Sequence, residues 1–257
     1  MIRCLFKGLQ QSGQGSEPGK PVIAVAGALR SGTNYLKFLL EQNYDVAADS
    51  NAFGWKHGGV PVFAASAQLS YPDMPLAYIV KNPYAFVVSL HRYHQRKIKA
   101  GHRISLDAEA EFNAFLTSPV TIFDSQLDGS PQLRFSSPVQ YWNFLYWNLE
   151  TLDPKRFRVA GFNYEDLVTN PLGIRMVESV AGLTRRSEEL ETPKNQLKRL
   201  GGAVMTGEKS TAEGDEDFDG SYYTEKRYLG SFTDEQLAFM RAEIDPWLMQ
   251  QRGYDIL

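Results

Sequence analysis

A short loop near the N-terminus combines two glycines with a basic side chain. It runs Gly27-Ala-Leu-Arg-Ser-Gly-Thr-Asn34, between an apolar run and a segment of helical periodicity. In that position backbone N–H groups and the positive end of a helix bind an anion. The ATP-binding loop has the pattern Gly-x-x-x-x-Gly-Lys-Ser/Thr, but here Thr33 and Asn34 follow the second glycine. Because that lysine and the magnesium-binding hydroxyl are missing and Arg30 lies inside the loop, we predict an anionic ligand other than a magnesium-bound triphosphate.

The elements that must position this loop follow from the periodicity of the chain. Val22 to Ala26 is an apolar, partly β-branched run that predicts a buried strand, and the apolar spacing over 34–42 predicts a helix. Further strands are predicted at 76–80 and 157–162, and further helices at 87–97, 139–149, 171–180 and 234–249. Strands that alternate with helices imply a mostly parallel sheet covered on both faces. The predicted fold is a single three-layer α/β domain with a mostly parallel central sheet flanked by helices.

Length and composition fit one large domain. The chain has 257 residues, of which 43% are hydrophobic and 22% are charged. These values are close to globular averages and exclude fibrous and largely disordered classes. We expect a flexible N-terminal segment at 1–20 and the domain at 21–257. A stretch at about 201–221 is rich in Gly, Ser, Asp and Glu, which predicts a mobile loop.

The net charge limits the classes of partner that the protein can bind, and the cysteine content indicates its cellular compartment. Lys plus Arg total 27 and Asp plus Glu total 30, a formal net charge of −3, which argues against general nucleic-acid binding. Cys4 is the only cysteine, so an internal disulfide and a thiolate zinc site are excluded and a reducing compartment is favoured. The run at 21–29 is about half of a membrane span, and residues 1–20 lack a signal-peptide pattern. We therefore expect a cytoplasmic protein with no membrane span and no nucleic-acid partner.

The loop and three later segments together resemble the sulfotransferases that use 3′-phosphoadenosine 5′-phosphosulfate (PAPS). That family has a strand, then Lys/Arg-Ser-Gly-Thr, then a helix, as at Arg30-Ser-Gly-Thr33. Ala77-Tyr-Ile-Val-Lys-Asn-Pro83, followed by Ser89, is similar to the family's 3′-phosphate motif, in which a basic residue precedes a serine by eight positions. Gly54-Trp-Lys-His57 resembles the segment with the catalytic histidine, and Phe162-Asn-Tyr-Glu-Asp-Leu167 resembles the Tyr-Glu-Asp segment near the adenine.

The resemblance implies a P-loop nucleotide-hydrolase-like fold and a set of site residues over about residues 20–257. It implies that the loop binds the 5′-phosphosulfate group and that Lys81 and Ser89 bind the 3′-phosphate. Lys81 stands where most members carry arginine, and the Lys226-Arg227 pair is only a loose counterpart of the family's glycine-rich C-terminal motif. The implied cofactor-binding residues are Arg30, Ser31, Gly32, Thr33, Asn34, Lys81, Ser89, Tyr164, Lys226 and Arg227.

Sulfuryl transfer needs charge stabilisation at the leaving phosphate and a base for the acceptor, and it needs no metal ion. Arg30 is expected to stabilise the phosphate oxygens as they become negative. His57 is the candidate base because imidazole titrates near neutrality. The plainer interpretation is a histidine that is merely hydrogen-bonded beside Trp55, and Asp49 is the carboxylate alternative. Lys56 is the third candidate catalytic residue, as a partner of the sulfuryl group.

The predicted function is transfer of a sulfuryl group from PAPS to an acceptor hydroxyl or amine, with release of adenosine 3′,5′-bisphosphate (PAP). The acceptor is expected to be a small molecule or a glycan, and composition does not distinguish a phenol from a carbohydrate. A kinase-like nucleotide enzyme of the same fold and a catalytically silent nucleotide-binding protein are the alternatives. The aromatic residues Trp142, Tyr146 and Trp147 are predicted to lie in the core and not to form a sugar platform.

Overall fold

A parallel β-sheet forms the centre of the molecule in the computed structural model. The structure describes residues 19–53, 55–60, 73–99, 111–122, 133–192, 198–200, 203–205 and 220–257. Its strands are β1 (Val22–Ala26), β2 (Ala47–Asp49), β3 (Leu76–Val80), β4 (Val120–Ile122), β5 (Leu133–Phe135), β6 (Val159–Asn163), β7 (Lys198–Leu200) and β8 (Ala203–Met205). The central sheet has the order β2-β1-β3-β6, and all of its neighbours are parallel.

Helices cover this sheet. They are α1 (Thr33–Asn43), α2 (Pro83–Lys99), α3 (Phe112–Thr117), α4 (Pro138–Glu150), α5 (Tyr164–Thr169), α6 (Met176–Ala181), α7 (Ser221–Thr224), α8 (Asp234–Glu243) and α9 (Pro246–Arg252). Two 3-10 helices lie at Pro171–Arg175 and Arg227–Ser231. Among the described residues, no helix has the length and apolar character needed to cross a membrane.

Apolar residues of the central strands alternate between the two faces of the sheet, because successive side chains of a strand point in opposite directions. Val25 and Ile79 pack in one buried cluster with Leu36 of α1. Tyr78 and Val80 pack in the other cluster, with the apolar residues of α2, α4 and α9. The predicted α/β fold, a mostly parallel sheet flanked by helices, is confirmed.

The register of the sheet places the loops that follow β1 and β3 side by side. Ala26, the last residue of β1, pairs with Tyr78 of β3, and Val80 pairs with Asn163 of β6. The carboxyl ends of these parallel strands therefore meet at one edge. In open α/β sheets this is the edge at which ligands bind.

Proline accounts for a difference between the predicted and the observed helices. The helix predicted over 234–249 is divided into α8 and α9, because Pro246 lacks an N–H and keeps Asp245 out of the helical conformation. The Asp245 carboxylate then accepts from the N–H groups of Trp247 and Leu248 and begins α9. The helix predicted over 171–180 is also divided, into a 3-10 helix that begins at Pro171 and α6.

Other differences are small, and two predicted segments lie largely outside the described residues. The strand predicted to begin at Phe157 begins at Val159, because the Phe157 N–H donates to the Asp153 carbonyl in a turn. The sequence did not predict the three-residue strands β2, β4, β5, β7 and β8, because three residues are too few to show a periodicity. β8 lies within the stretch predicted as a loop at 201–221 and pairs with β7. The rest of that stretch up to 219, and residues 1–18, are outside the described residues.

Candidate functional site

The loop between β1 and α1 bends through unusual backbone angles. Gly27, Arg30 and Gly32 have φ of 151°, 65° and 99°. A Cβ atom on Gly27 would lie 2.6 Å from the Ile79 carbonyl oxygen of β3, so glycine is required there by the neighbouring strand. Arg30 adopts the left-handed conformation that non-glycine residues rarely adopt. The surrounding structure must therefore hold this loop in shape.

The start of α1 presents backbone donors beside this loop. The Leu36 N–H is the first to donate to a residue of the preceding turn, the Gly32 carbonyl, at 3.0 Å. The N–H groups of residues 32–35 therefore lack an intrahelical acceptor. No acidic residue lies in the first turn of this 11-residue helix. The Ser31 N–H donates instead to the Ala28 carbonyl at 3.1 Å, so the donors of an anion site begin at Gly32.

Tyr164, the expected neighbour of the adenine, is packed beneath this loop. Its side chain is buried, and its ring would collide with a Cβ atom on Gly32. The rings of Tyr35 and Tyr223 meet it edge-on, with centroids 6.0 and 5.0 Å away. Tyr164 therefore holds the loop against the segment that contains α7, and its contact with adenine stays a prediction.

The contact between Gly32 and Tyr164 predicts that Gly32→Ala destabilises the fold by about 2–4 kcal/mol, because left-handed strain and overpacking add. Gly182→Ala is the matched control: Gly182 has φ 66°, and a Cβ atom there would contact nothing within 4 Å. It should lose only the strain, about 1–2 kcal/mol. Urea denaturation measures both free energies of unfolding, and equal losses would show that the Tyr164 contact has no effect.

The candidate base His57 lies against the loop. Its Nδ1 is 2.6 Å from the carbonyl oxygen of Gly27, and since a carbonyl only accepts, Nδ1 carries the hydrogen. In the neutral ring, Nε2 is then the nitrogen that accepts a proton. The imidazole is buried, with the Trp55 ring perpendicular to it at 4.8 Å. The structure thus contains both the hydrogen bond of the plainer interpretation and the tautomer that a base requires.

The other two candidates of this region occupy different positions. The Lys56 ammonium donates to Asn34 Oδ1 at 3.0 Å, which places it at the start of α1. The carbonyl of Lys56 accepts from the Gly27 N–H at 2.9 Å, so its backbone is also joined to the loop. Asp49 ends β2, and its carboxylate accepts from the Asn51 N–H at 2.7 Å, which closes a turn.

Lys81 is buried between aromatic rings at the end of β3. Its ammonium lies 3.9 Å from the ring centre of Tyr164 and donates to the Tyr223 hydroxyl at 3.3 Å. Burial lowers the pKa of Lys81 to about 7; the carboxylate of Glu165 opposes this change, and the charge of Arg30 adds to it. The influence of Arg30 means that the two basic residues lie within electrostatic range of each other.

Glu165 lies beside Lys81 and was not assigned a role by the sequence. Its carboxylate accepts from the Asn82 N–H at 3.1 Å and from the Tyr254 hydroxyl at 2.8 Å. Burial raises the pKa of this carboxyl, and the charge of Lys81 opposes the rise. Two buried groups of opposite charge therefore compensate each other at the carboxyl edge of the sheet.

The side chain of Arg30 extends toward α2. Its guanidinium lies 5.2 Å from the ring centre of Tyr93. Tyr93 is one helical turn after Ser89, so both residues lie on one face of α2. The partly buried Ser89 is thereby placed on the side of α2 that faces the loop.

Lys226 and Arg227, the loosest of the assignments, pair with surface carboxylates in the structure. The Lys226 ammonium lies 2.9 Å from Asp255, and the Arg227 guanidinium lies 3.4 Å from Glu225. Two neighbouring tyrosines of this segment, Tyr222 and Tyr223, contact the candidate site. The sequence did not predict this, because an isolated Tyr-Tyr pair has no distinguishing pattern. Tyr223 covers Lys81, and the ring of Tyr222 lies near the guanidinium groups of Arg92 and Arg227 at 5.2 and 5.8 Å.

The aromatic residues of α4 are core residues in two of the three predicted cases. Trp142 and Tyr146 are fully buried, which confirms the prediction, whereas Trp147 is 44% exposed and that prediction is wrong. Trp147 follows Tyr146 directly, so the helix turns it about 100° away from the core. Tyr141, which the sequence did not single out, is also buried and bonds to the loop.

The residues that the structure brings around the loop thus come from separate stretches of the chain, and the principal ones are Arg30, Lys56, His57, Lys81 and Tyr164. No protein-family model, curated protein or solved structure gives a significant match to the chain. The functional conclusion therefore depends on these side chains and their geometry.

Proposed function

We propose that this protein is a sulfotransferase with a P-loop-like fold, which transfers a sulfuryl group from PAPS to an acceptor hydroxyl or amine and releases PAP. One observation carries the proposal. Arg30, His57 and Lys81, which the resemblance assigns to one site, lie around the same loop at the carboxyl edge of the sheet. The absence of an acidic group from the first turn of α1 also suits an anionic ligand.

The N–H groups at the start of α1 are the proposed ligands of the 5′-phosphosulfate. The acceptor oxygen attacks sulfur while the bond between sulfur and the bridging oxygen of the phosphate breaks, so the electron pair of that bond moves to the leaving phosphate. The Arg30 guanidinium stabilises the charge that develops there, and in a desolvated site this contribution is usually large. Lys56, held at the start of α1 by Asn34, is the proposed partner of the sulfuryl oxygens.

His57 removes the proton of the acceptor through Nε2 as the new bond forms. The Gly27 carbonyl orients the ring through Nδ1, and its partial negative charge stabilises the imidazolium that results. Gly27 belongs to the loop that is proposed to bind PAPS. Its carbonyl therefore fixes the position of the base His57 relative to the bound PAPS. Asp49 stays the alternative base, and its contact with Asn51 leaves it a structural role in the turn.

The proposal is tested by calorimetric titration with PAP and by an acceptor screen with labelled PAPS. We expect PAP to bind equally well with and without Mg²⁺, and label to appear on phenols, sugars or amines. Binding of ATP that depends strictly on Mg²⁺ would favour the kinase-like alternative. PAP binding without turnover on any acceptor would favour the silent nucleotide-binding protein. A protein that binds no PAP in either condition would contradict the proposal.

The low pKa of Lys81 predicts a proton uptake when PAP binds. In the protein without nucleotide, Lys81 has a pKa of about 7, and the negative charge of a neighbouring phosphate would raise this pKa. Between these two pKa values the complex holds one more proton than the free protein, so affinity falls as pH rises above about 7, by up to about tenfold per pH unit. Calorimetry in two buffers of different ionisation enthalpy measures the uptake directly.

Three variants test whether Lys81 takes up the proton and whether Lys81 and Ser89 bind the 3′-phosphate. Lys81→Arg keeps its charge throughout this pH range, so its affinity for PAP should not change with pH. Lys81→Met and Ser89→Ala should lose affinity for PAP but not for the analogue that lacks the 3′-phosphate. If these variants lose affinity equally for both nucleotides, the 3′-phosphate is bound elsewhere.

A further inference from the structure

A tyrosine hydroxyl on α4 bridges the first half of the loop to β3. The Ala28 N–H donates to Tyr146 Oη at 3.1 Å, and that hydroxyl donates to the Ile79 carbonyl at 2.9 Å. Burial raises the pKa of Tyr146, so the hydroxyl keeps the proton that it donates. The Ser31 hydroxyl donates to the Ala28 carbonyl at 2.7 Å. Both backbone polar groups of Ala28 are therefore bonded inside the protein.

A second hydroxyl on α4 bridges the next residue of the loop to the candidate base. The Leu29 N–H donates to Tyr141 Oη at 3.2 Å, and this hydroxyl donates to the His57 carbonyl at 2.9 Å. Tyr141 is 1% exposed, and burial raises its pKa as well. The indole N–H of Trp142 donates to the Lys81 carbonyl at 2.9 Å. α4 thus contacts the backbone of the loop, of the His57 segment and of the Lys81 segment.

The loop needs such external support because of its conformation. Arg30 is left-handed, a conformation that a non-glycine residue keeps only when its surroundings over-determine it. The bridges also direct the N–H groups of Ala28 and Leu29 toward α4. The N–H groups at the start of α1, by contrast, have no acceptor within the helix.

We propose that Tyr141 and Tyr146 are positioning residues of the anion loop. Tyr146 holds the loop to β3 in its binding conformation before a ligand arrives. Tyr141 joins the loop to the backbone of His57, so the donor site and the base keep a constant separation. The proposal deepens, and for its catalytic part depends on, the sulfotransferase function proposed above.

The first test needs no nucleotide and compares amide hydrogen exchange in Tyr141→Phe, Tyr146→Phe and the unchanged protein. Tyr146→Phe should speed exchange at Ala28, and Tyr141→Phe at Leu29, by about tenfold or more, because each loses its acceptor. Tyr84→Phe is the matched control: the Tyr84 hydroxyl is equally buried and accepts from the Leu257 N–H at 3.3 Å, at the C-terminus. It should leave both loop amides unchanged.

The second test measures PAP affinity and turnover in the same variants. We expect Tyr146→Phe to weaken PAP binding by about tenfold, and Tyr141→Phe to lower kcat more than it lowers affinity, because it displaces the base. Tyr84→Phe should lower the melting temperature without changing either constant. The comparison distinguishes a role of Tyr141 and Tyr146 in positioning the loop and the base from a general effect on stability.

The outcomes distinguish this inference from the proposed function. Failure of the unchanged protein to bind PAP contradicts the function, and the exchange rates at Ala28 and Leu29 then decide alone whether the tyrosines set the loop conformation. Unchanged exchange at both amides overturns the inference, as does equal acceleration in Tyr84→Phe. Faster exchange at the matching amide, with normal PAP affinity and kcat, overturns the positioning role in catalysis.

Discussion

Arg30→Ala is expected to lower the rate of sulfuryl transfer by about a hundredfold or more. In the proposed mechanism the guanidinium stabilises oxygens that gain charge only in the transition state, and removing one such donor typically costs about 3 kcal/mol of activation free energy. The interaction is weaker in the ground state, so PAP affinity should change less than kcat. Steady-state turnover with labelled PAPS and calorimetric titration with PAP measure the two effects.

The backbone of Arg30 requires a second variant, because its φ of 65° strains alanine as well. Arg30→Gly accepts that angle without steric cost, so its loss of rate reports on the side chain alone. Arg158→Ala is the matched control for charge: Arg158 is half-exposed and pairs with Asp73 at 3.3 Å, just before β6, away from the carboxyl edge of the sheet. Near-normal turnover in Arg30→Gly would contradict the assignment of Arg30.

His57→Asn should lower kcat by about 10²–10⁴-fold while PAP affinity changes little. The variant is chosen because the asparagine N–H occupies nearly the position of Nδ1 and can still donate to the Gly27 carbonyl. The loop therefore keeps its contact, whereas the proton acceptor at Nε2 is lost. Single-turnover kinetics with PAPS measure the chemical step directly.

Asp49→Asn distinguishes the two candidate bases. Its amide oxygen still accepts from the Asn51 N–H, so the turn after β2 is preserved and only the basicity is removed. We expect turnover close to that of the unchanged protein. A rate loss as large as that of His57→Asn would instead identify Asp49 as the base, and normal turnover in His57→Asn would leave His57 the plain structural role.

The residues that carried the functional hypothesis were found by local pattern. An apolar strand, two glycines, an arginine and a helix follow one another between Val22 and Asn43, so one short segment of the sequence contains the whole pattern. Lys81 was located by its position after an apolar strand and eight residues before Ser89. Such patterns predict the strands, the helices and their order, because secondary structure depends on nearby residues.

The same locality explains what was missed. The Tyr223 hydroxyl accepts a hydrogen bond from Lys81, and the charge of Glu165 raises the pKa of Lys81. Both residues are distant from Lys81 in the chain, and no spacing in the sequence connects them to it. Lys226 and Arg227 looked like phosphate ligands by order alone, and the structure pairs them with Asp255 and Glu225. The partner of an exposed basic residue depends on which carboxylates the fold brings within about 4 Å.

The sequence by itself determined an α/β chain with a glycine-containing loop between its first strand and helix, and it identified Arg30, His57 and Lys81 as candidate site residues. Only the tertiary structure decided the tautomer of His57, the low pKa of Lys81 and the support of the loop by α4. The physical reason is that a tautomer depends on a hydrogen-bond partner and a pKa on burial and nearby charge. These are relations between residues far apart in the chain, and they exist only once the sheet and its helices have assembled.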